Sequence, residues 1–122
     1  MQGDYNAIFG KDSTIKADYS GNFGNGNKIV GSYSLTVGAT NIANNTLCTV
    51  FGQGNQSYRA GQTIVGYYNN IANKINSLFI VGNGTSSERK NAFEILFDGR
   101  AKVYGAPVEN NDALRLGDLA FV

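Results

Sequence analysis

Along most of the chain a pair of adjacent residues, usually apolar, precedes a glycine, small or polar residues follow it, and an asparagine stands three places beyond. The glycines are Gly10, Gly24, Gly38, Gly52 and Gly66, each fourteen residues after the last, and Gly82 follows after sixteen. The position before the glycine holds Phe9, Phe23, Val37, Phe51, Val65 and Val81, and the one before that Ile8, Asn22, Thr36, Val50, Ile64 and Ile80. Three places after it come Ser13, Asn27, Asn41, Asn55, Asn69 and Thr85, and five places after it Ile15, Ile29, Ala43, Ser57, Ile71 and Ser87. An internal repeat of this regularity decides the architecture ahead of any local reading.

A unit of fourteen residues is too short for a helix and its return path, but it accommodates two strands of about five residues and two tight turns. The expected fold is therefore all-β, a parallel β-roll (β-solenoid) of about six coils stacked roughly 4.8 Å apart, with like residues above one another. The glycine permits a corner where a Cβ would clash or φ is positive, while the asparagine tolerates a left-handed turn and can build a hydrogen-bonded ladder. Neighbouring residues in a strand face opposite ways, so one of the two apolar columns fills the roll and the other points out. The sequence does not say which. Either way an apolar stripe is left that soluble monomers generally avoid, and rotational self-association is the simplest cover.

The repeat pattern accounts for residues 5–90. In 91–104, Phe93, Ile95 and Phe97 alternate with other residues, Asp98-Gly99 suits a type I′ turn, and Ala101 and Val103 continue a return strand, which predicts a β-hairpin. Residues 105–122 remain as a connector.

These residues resemble the head domains of trimeric autotransporter adhesins, whose fourteen-residue repeats wind as left-handed parallel β-rolls joined as trimers. AIFG at Ala7–Gly10 is similar to that repeat's core, and LTVG and TIVG at Leu35–Gly38 and Thr63–Gly66 are looser copies. The run from Asn111 through Asp112-Ala113-Leu114-Arg115-Leu116 to Leu119 looks like the family's neck, which leads from head to coiled-coil stalk. Phe9, Phe23 and Phe51 stand where that family usually has smaller aliphatics, and the stretch Asn83–Gly105 is similar to segments of bacteriophage and prophage tail fibres. The resemblance implies a homotrimer at a bacterial surface or a virion tail, extracellular in either case. It also implies a non-enzymatic structural and adhesive role that presents a rigid wall to a host-surface glycan or protein.

Composition agrees with a single turn-rich domain: 122 residues of 13.0 kDa carry sixteen glycines, seven tyrosines, seven phenylalanines and one proline. A formal net charge of +1 gives no electrostatic case for nucleic acid or a membrane surface. The N-terminus has no basic segment followed by an apolar core, and the chain starts inside the repeat and stops on Ala120, Phe121 and Val122, which reads as a fragment of something larger. With one cysteine, Cys48, and no histidine, neither an intrachain disulfide nor a zinc site is expected. The carboxylates all fall outside residues 19–87, so the coils lack the paired acids of β-helical glycosidases. The repeats also lack the aspartates of calcium-binding rolls, and FGNGNK at Phe23–Lys28 lacks the phosphate-loop spacing. No cofactor or metal is expected. The alternative is a tailspike-type glycan-degrading enzyme whose site spans subunits and uses the C-terminal carboxylates.

The repeat also shows where turns depart from the rule. Tyr67-Tyr68 occupy a turn that elsewhere holds small or polar residues, and Tyr58-Arg59 depart likewise one coil earlier. Tyrosine and arginine are enriched where surfaces bind, so Tyr58, Arg59, Tyr67 and Tyr68 are the candidate contact residues for a glycan or protein.

Overall fold

The computed structural model describes residues 1–74 and 76–119; Ile75 and the terminal Ala120, Phe121 and Val122 lie outside the described residues. The first coil consists of β1 (Ala7–Lys11) and β2 (Thr14–Ile15), the second of β3 (Gly21–Asn25) and β4 (Lys28–Ile29), and the third of β5 (Leu35–Ala39) and β6 (Ile42–Ala43). Then follow β7 (Thr49–Gln53), β8 (Thr63–Tyr67), β9 (Ser77–Asn83), β10 (Asn91–Leu96) and β11 (Ala101–Val103). The long strands form one broad sheet in the order β1-β3-β5-β7-β8-β9-β10-β11, and the short ones form a narrow sheet β2-β4-β6. Pairing is parallel from β1 to β9 and antiparallel from β9 through β11.

The anchoring glycines pair directly, Gly10 with Gly24, Gly24 with Gly38 and Gly38 with Gly52. A Cβ on any of the first five would overlap the carbonyl oxygen of the anchoring glycine one coil on, and all five have φ between 95° and 139°. The stack can form only with glycine at this corner.

Within the fourteen-residue coil lies a shorter rhythm that the sequence conceals. Left-handed φ recurs every seven residues, at Tyr5, Asp12, Tyr19, Gly26, Tyr33, Thr40, Leu47, Gly54, Gly61 and Tyr68. Three places after each of the first nine comes an inward-facing residue: Ile8, Ile15, Asn22, Ile29, Thr36, Ala43, Val50, Ser57 and Ile64. Each coil is thus two similar half-turns facing one another, and the core is a double column running the length of the roll.

The residue after each left-handed position closes the turn. Asn41 and Asn55 are fully buried; the Asn41 Oδ1 accepts the Asn55 backbone N–H at 3.1 Å, while its Nδ2 donates to the carbonyls of Val37 and Gly52 at 3.0 and 2.9 Å. Asn27 and Asn69 extend the ladder in both directions. Asn6, Ser20, Ser34 and Cys48 form the corresponding ladder on the other edge. The asparagine ladder matches expectation, but the left-handed conformation belongs to the residue before each asparagine.

Three sequence expectations need correction. The roll has about five turns and not six. After Gly82 the chain reverses into β10, and Ser87, which the repeat would place inside, is exposed. The second strand of a coil is two residues long, not about five. Between β10 and β11 only Gly99 has positive φ, at 90°, so the turn is not type I′. The Leu96 N–H instead bonds to the Arg100 carbonyl across a three-residue loop with glycine in the left-handed place. Beyond β11 the chain runs in turns to a short 3₁₀ segment, Leu116–Asp118. There Arg115 grips the Asp118 carboxylate through two nitrogens, at 2.7 and 2.8 Å, and donates to the Tyr104 carbonyl at 2.9 Å.

Candidate functional site

The direction of the two apolar columns is the first functional fact the structure supplies. Val50, Ile64 and Ile80 are 0 % exposed, whereas Phe9 and Phe23 are 58 % and 49 % exposed. The column next to the glycine therefore points outward, and it continues through Val37, Phe51, Val65 and Val81 to Phe93 on β10 and Val103 on β11 by direct strand pairing. Two residues back, on the same face, run Leu35, Thr49, Thr63, Phe79, Ile95 and Ala101. One apolar row thus crosses the outer face of the broad sheet on all eight strands, beside a mostly polar row of Lys11, Asn25, Ala39, Gln53, Tyr67 and Asn83. Its aromatics are ordered: the Phe9 and Phe23 rings stack at 4.8 Å and 3°, and Phe79 meets Phe93 edge-on at 6.4 Å.

A second ordered aromatic row runs along one edge of the roll. Tyr5, Tyr19 and Tyr33 stack with centroids 4.9 and 5.0 Å apart, all exposed and all with left-handed backbone. Left-handed φ is unfavourable for a bulky side chain, so these positions hold tyrosine against local preference. Sequence reasoning passed over this row, although its spacing of fourteen was there to be read.

The four residues singled out by the sequence sit in different surroundings. The Tyr58 ring packs against the apolar core, and its phenol, held by hydrogen bonds with Ser77 and Gln62, is raised above the ordinary tyrosine range chiefly by burial. The Arg59 guanidinium lies 3.8 Å over the Phe97 ring. Tyr68 occupies a left-handed turn with its ring over Gly54, and Arg89, 5.5 Å from that ring, donates to the Gly54 carbonyl at 2.8 Å. Tyr67 alone of the four is largely exposed.

At the C-terminal end the core stops on a carboxylate. Glu94 pairs with Ile80 across β9 and β10, so it continues the interior column, and it is 1 % exposed. Ser77 Oγ donates to its Oε2, while Asn91 Nδ2 and Tyr104 Oη donate to its Oε1 at 2.7 and 2.6 Å. Burial works to raise this carboxyl, but the hydrogen bonds from Ser77, Tyr104 and Asn91, with Lys102 nearby, outweigh it and hold the group below the usual carboxylate range. The Tyr104 phenol is pushed up first by burial and then by the anionic Glu94, which accepts its hydrogen bond and disfavours a second negative charge beside it. Sequence reasoning missed Glu94, although its place between the outward Phe93 and Ile95 marks it as inward-facing.

Among the described residues no group of three or more histidine, cysteine, aspartate or glutamate side chains could hold a metal ion, and no helix is long and apolar enough to cross a membrane. No family model, curated protein or solved structure matches the chain.

Proposed function

We propose that the chain is a non-enzymatic structural and adhesive module of a homotrimeric extracellular fibre, of the kind found on bacterial surfaces and phage tails. The observation that carries this reading is the outward apolar row that crosses all eight strands of the broad sheet. Contiguous apolar patches of this extent mark association surfaces. The face also repeats coil by coil, so a rotational assembly lets each coil meet its equivalent in the neighbouring chains and buries the whole stripe at once.

The rest of the roll suits a wall. Its core is a double column of residues locked by two hydrogen-bonded ladders, which makes it stiff along its axis, and beyond the last coil the broad sheet continues into β10 and β11. With the broad sheet turned toward the axis, the narrow sheet and the tyrosine edge face outward, where exposed phenols of the type enriched at binding surfaces are available to a receptor. Native mass spectrometry of the purified chain tests the assembly: a species of three 13.0 kDa chains supports it, and a well-folded single chain overturns it.

A further inference from the structure

The two ends of the broad sheet differ. At the β11 end the chain folds back on its last strand, where Leu114–Leu116 and Ala101–Tyr104 line one cavity and Arg115 donates to the Tyr104 carbonyl at 2.9 Å. At the β1 end the sheet stops: Ala7–Lys11 pairs with β3 on one side and, among the described residues, with no strand on the other. No proline or bulge blunts this edge, and its only charge is Lys11.

The later coils show what this edge lacks. The carbonyls of Gly38, Gly52 and Gly66 accept the side-chain amides of Asn27, Asn41 and Asn55 from the coil before, at 3.0, 2.9 and 2.8 Å. By the same repeat the Gly10 carbonyl faces the open edge. The backbone N–H groups of Asn41, Asn55 and Asn69 bond to the asparagine Oδ1 one coil back, and those of Gly26, Thr40 and Gly54 to the carbonyls of Lys11, Asn25 and Ala39. The corresponding N–H groups of Ser13 and Asp12 have no partner among the described residues. Ile8 ends the buried column half-exposed, and the Phe9 and Tyr5 rings are each stacked on one side only.

We propose that the β1 edge binds one further coil of this repeat, carried by another polypeptide and added in parallel register. The open groups specify its chemistry: an inward apolar residue, an outward apolar or aromatic one, a glycine, and an asparagine three places on. That asparagine serves both the Gly10 carbonyl and the Ser13 N–H. A second copy's β1 does not suit, because its coil carries Ser13 at that place, and the Ser13 hydroxyl turns to the Lys11 carbonyl instead. The proposal goes beyond the trimer and is tested apart from it, since the edge is present whether one chain or three assemble.

The test uses the full chain and, as probe, a synthetic peptide of its own residues 33–47, which holds Val37, Gly38 and Asn41. The expected result is one peptide bound per chain, slowed amide exchange at residues 8–13, and binding weakened about tenfold when the peptide carries Asn41→Ala. The Ala7 N–H points to the next coil, at the Ser20 carbonyl, so that of Ile8 points to the open edge. Ile8→Pro in the full chain should therefore abolish binding while the circular dichroism spectrum is kept; if that variant does not fold, the peptide substitution decides on wild type. No binding at millimolar peptide, equal binding of a shuffled peptide, slowed exchange elsewhere than at residues 8–13, or end-to-end pairing of the chain with itself overturns the proposal.

Discussion

Gly24 and Gly38 stack so closely that a Cβ on the first would overlap the carbonyl oxygen of the second. The contact recurs from Gly10 to Gly82, so the anchoring glycine makes room for the neighbouring coil. Gly24→Ala must push two coils apart and hold alanine at a φ of 139°. We expect a loss of about 3 kcal/mol or more, read from urea unfolding. Gly61→Ala meets nothing within 4 Å and bears only the backbone strain at φ 80°, so it should cost roughly 1 kcal/mol.

Asn41→Ala removes an acceptor for the Asn55 N–H and a donor to two carbonyls, all in the dry interior of the turn. Unsatisfied buried groups cost about 1–3 kcal/mol each, so the loss should approach that of the glycine substitution. Asn41→Asp should be as damaging, because it keeps the acceptor but turns the donor into a second acceptor facing carbonyl oxygens. Thermal melts of the two variants against wild type check both.

Acid should loosen the cap at Glu94. Its folded carboxyl titrates below the ordinary range, so it binds fewer protons than the unfolded chain at mildly acidic pH. The stability it contributes is complete above the unfolded value, about 4.3, and is lost as pH falls through the lower folded value. Asp98 and Asp112, at exposed positions, and Asp118, partly covered by Arg115, are depressed as well and act in the same direction. Melting temperature should therefore fall with pH in wild type and fall less in Glu94→Gln. Parallel curves for the two proteins would contradict the role given to Glu94.

The fourteen-residue period was legible because the glycine cannot be replaced at its corner and the asparagine is held by three bonds; both requirements leave a residue type behind. The seven-residue half-period was not, since a left-handed position can be filled by glycine, aspartate, threonine, tyrosine or leucine when the turn is held by the residue after it. The inward and outward columns could not be told apart because the outer one is as apolar as the inner, Phe51 beside Val50 and Val65 beside Ile64. The sixth coil was expected from Gly82 and is cut short by the reversal into β10, which depends on pairing with residues well beyond the repeat. Tyr58 and Tyr68 were conspicuous as departures from the turn pattern, and their packing against the core and over Gly54 is tertiary information.

That likeness of the columns makes Ile64 and Val65 the sharpest probe of the assembly. Ile64→Asp places a charge among fully buried side chains and should unfold the roll. Val65→Asp places it on the outer face, where the single chain can keep it hydrated, and should spare the coil while preventing association. Light scattering with circular dichroism, on wild type and Val65→Asp at micromolar concentration, tests the central claim most directly. The account predicts a mass of three 13.0 kDa chains for wild type and a folded species of one chain for the variant. Wild type with the mass of one chain and the same β-sheet spectrum would contradict it.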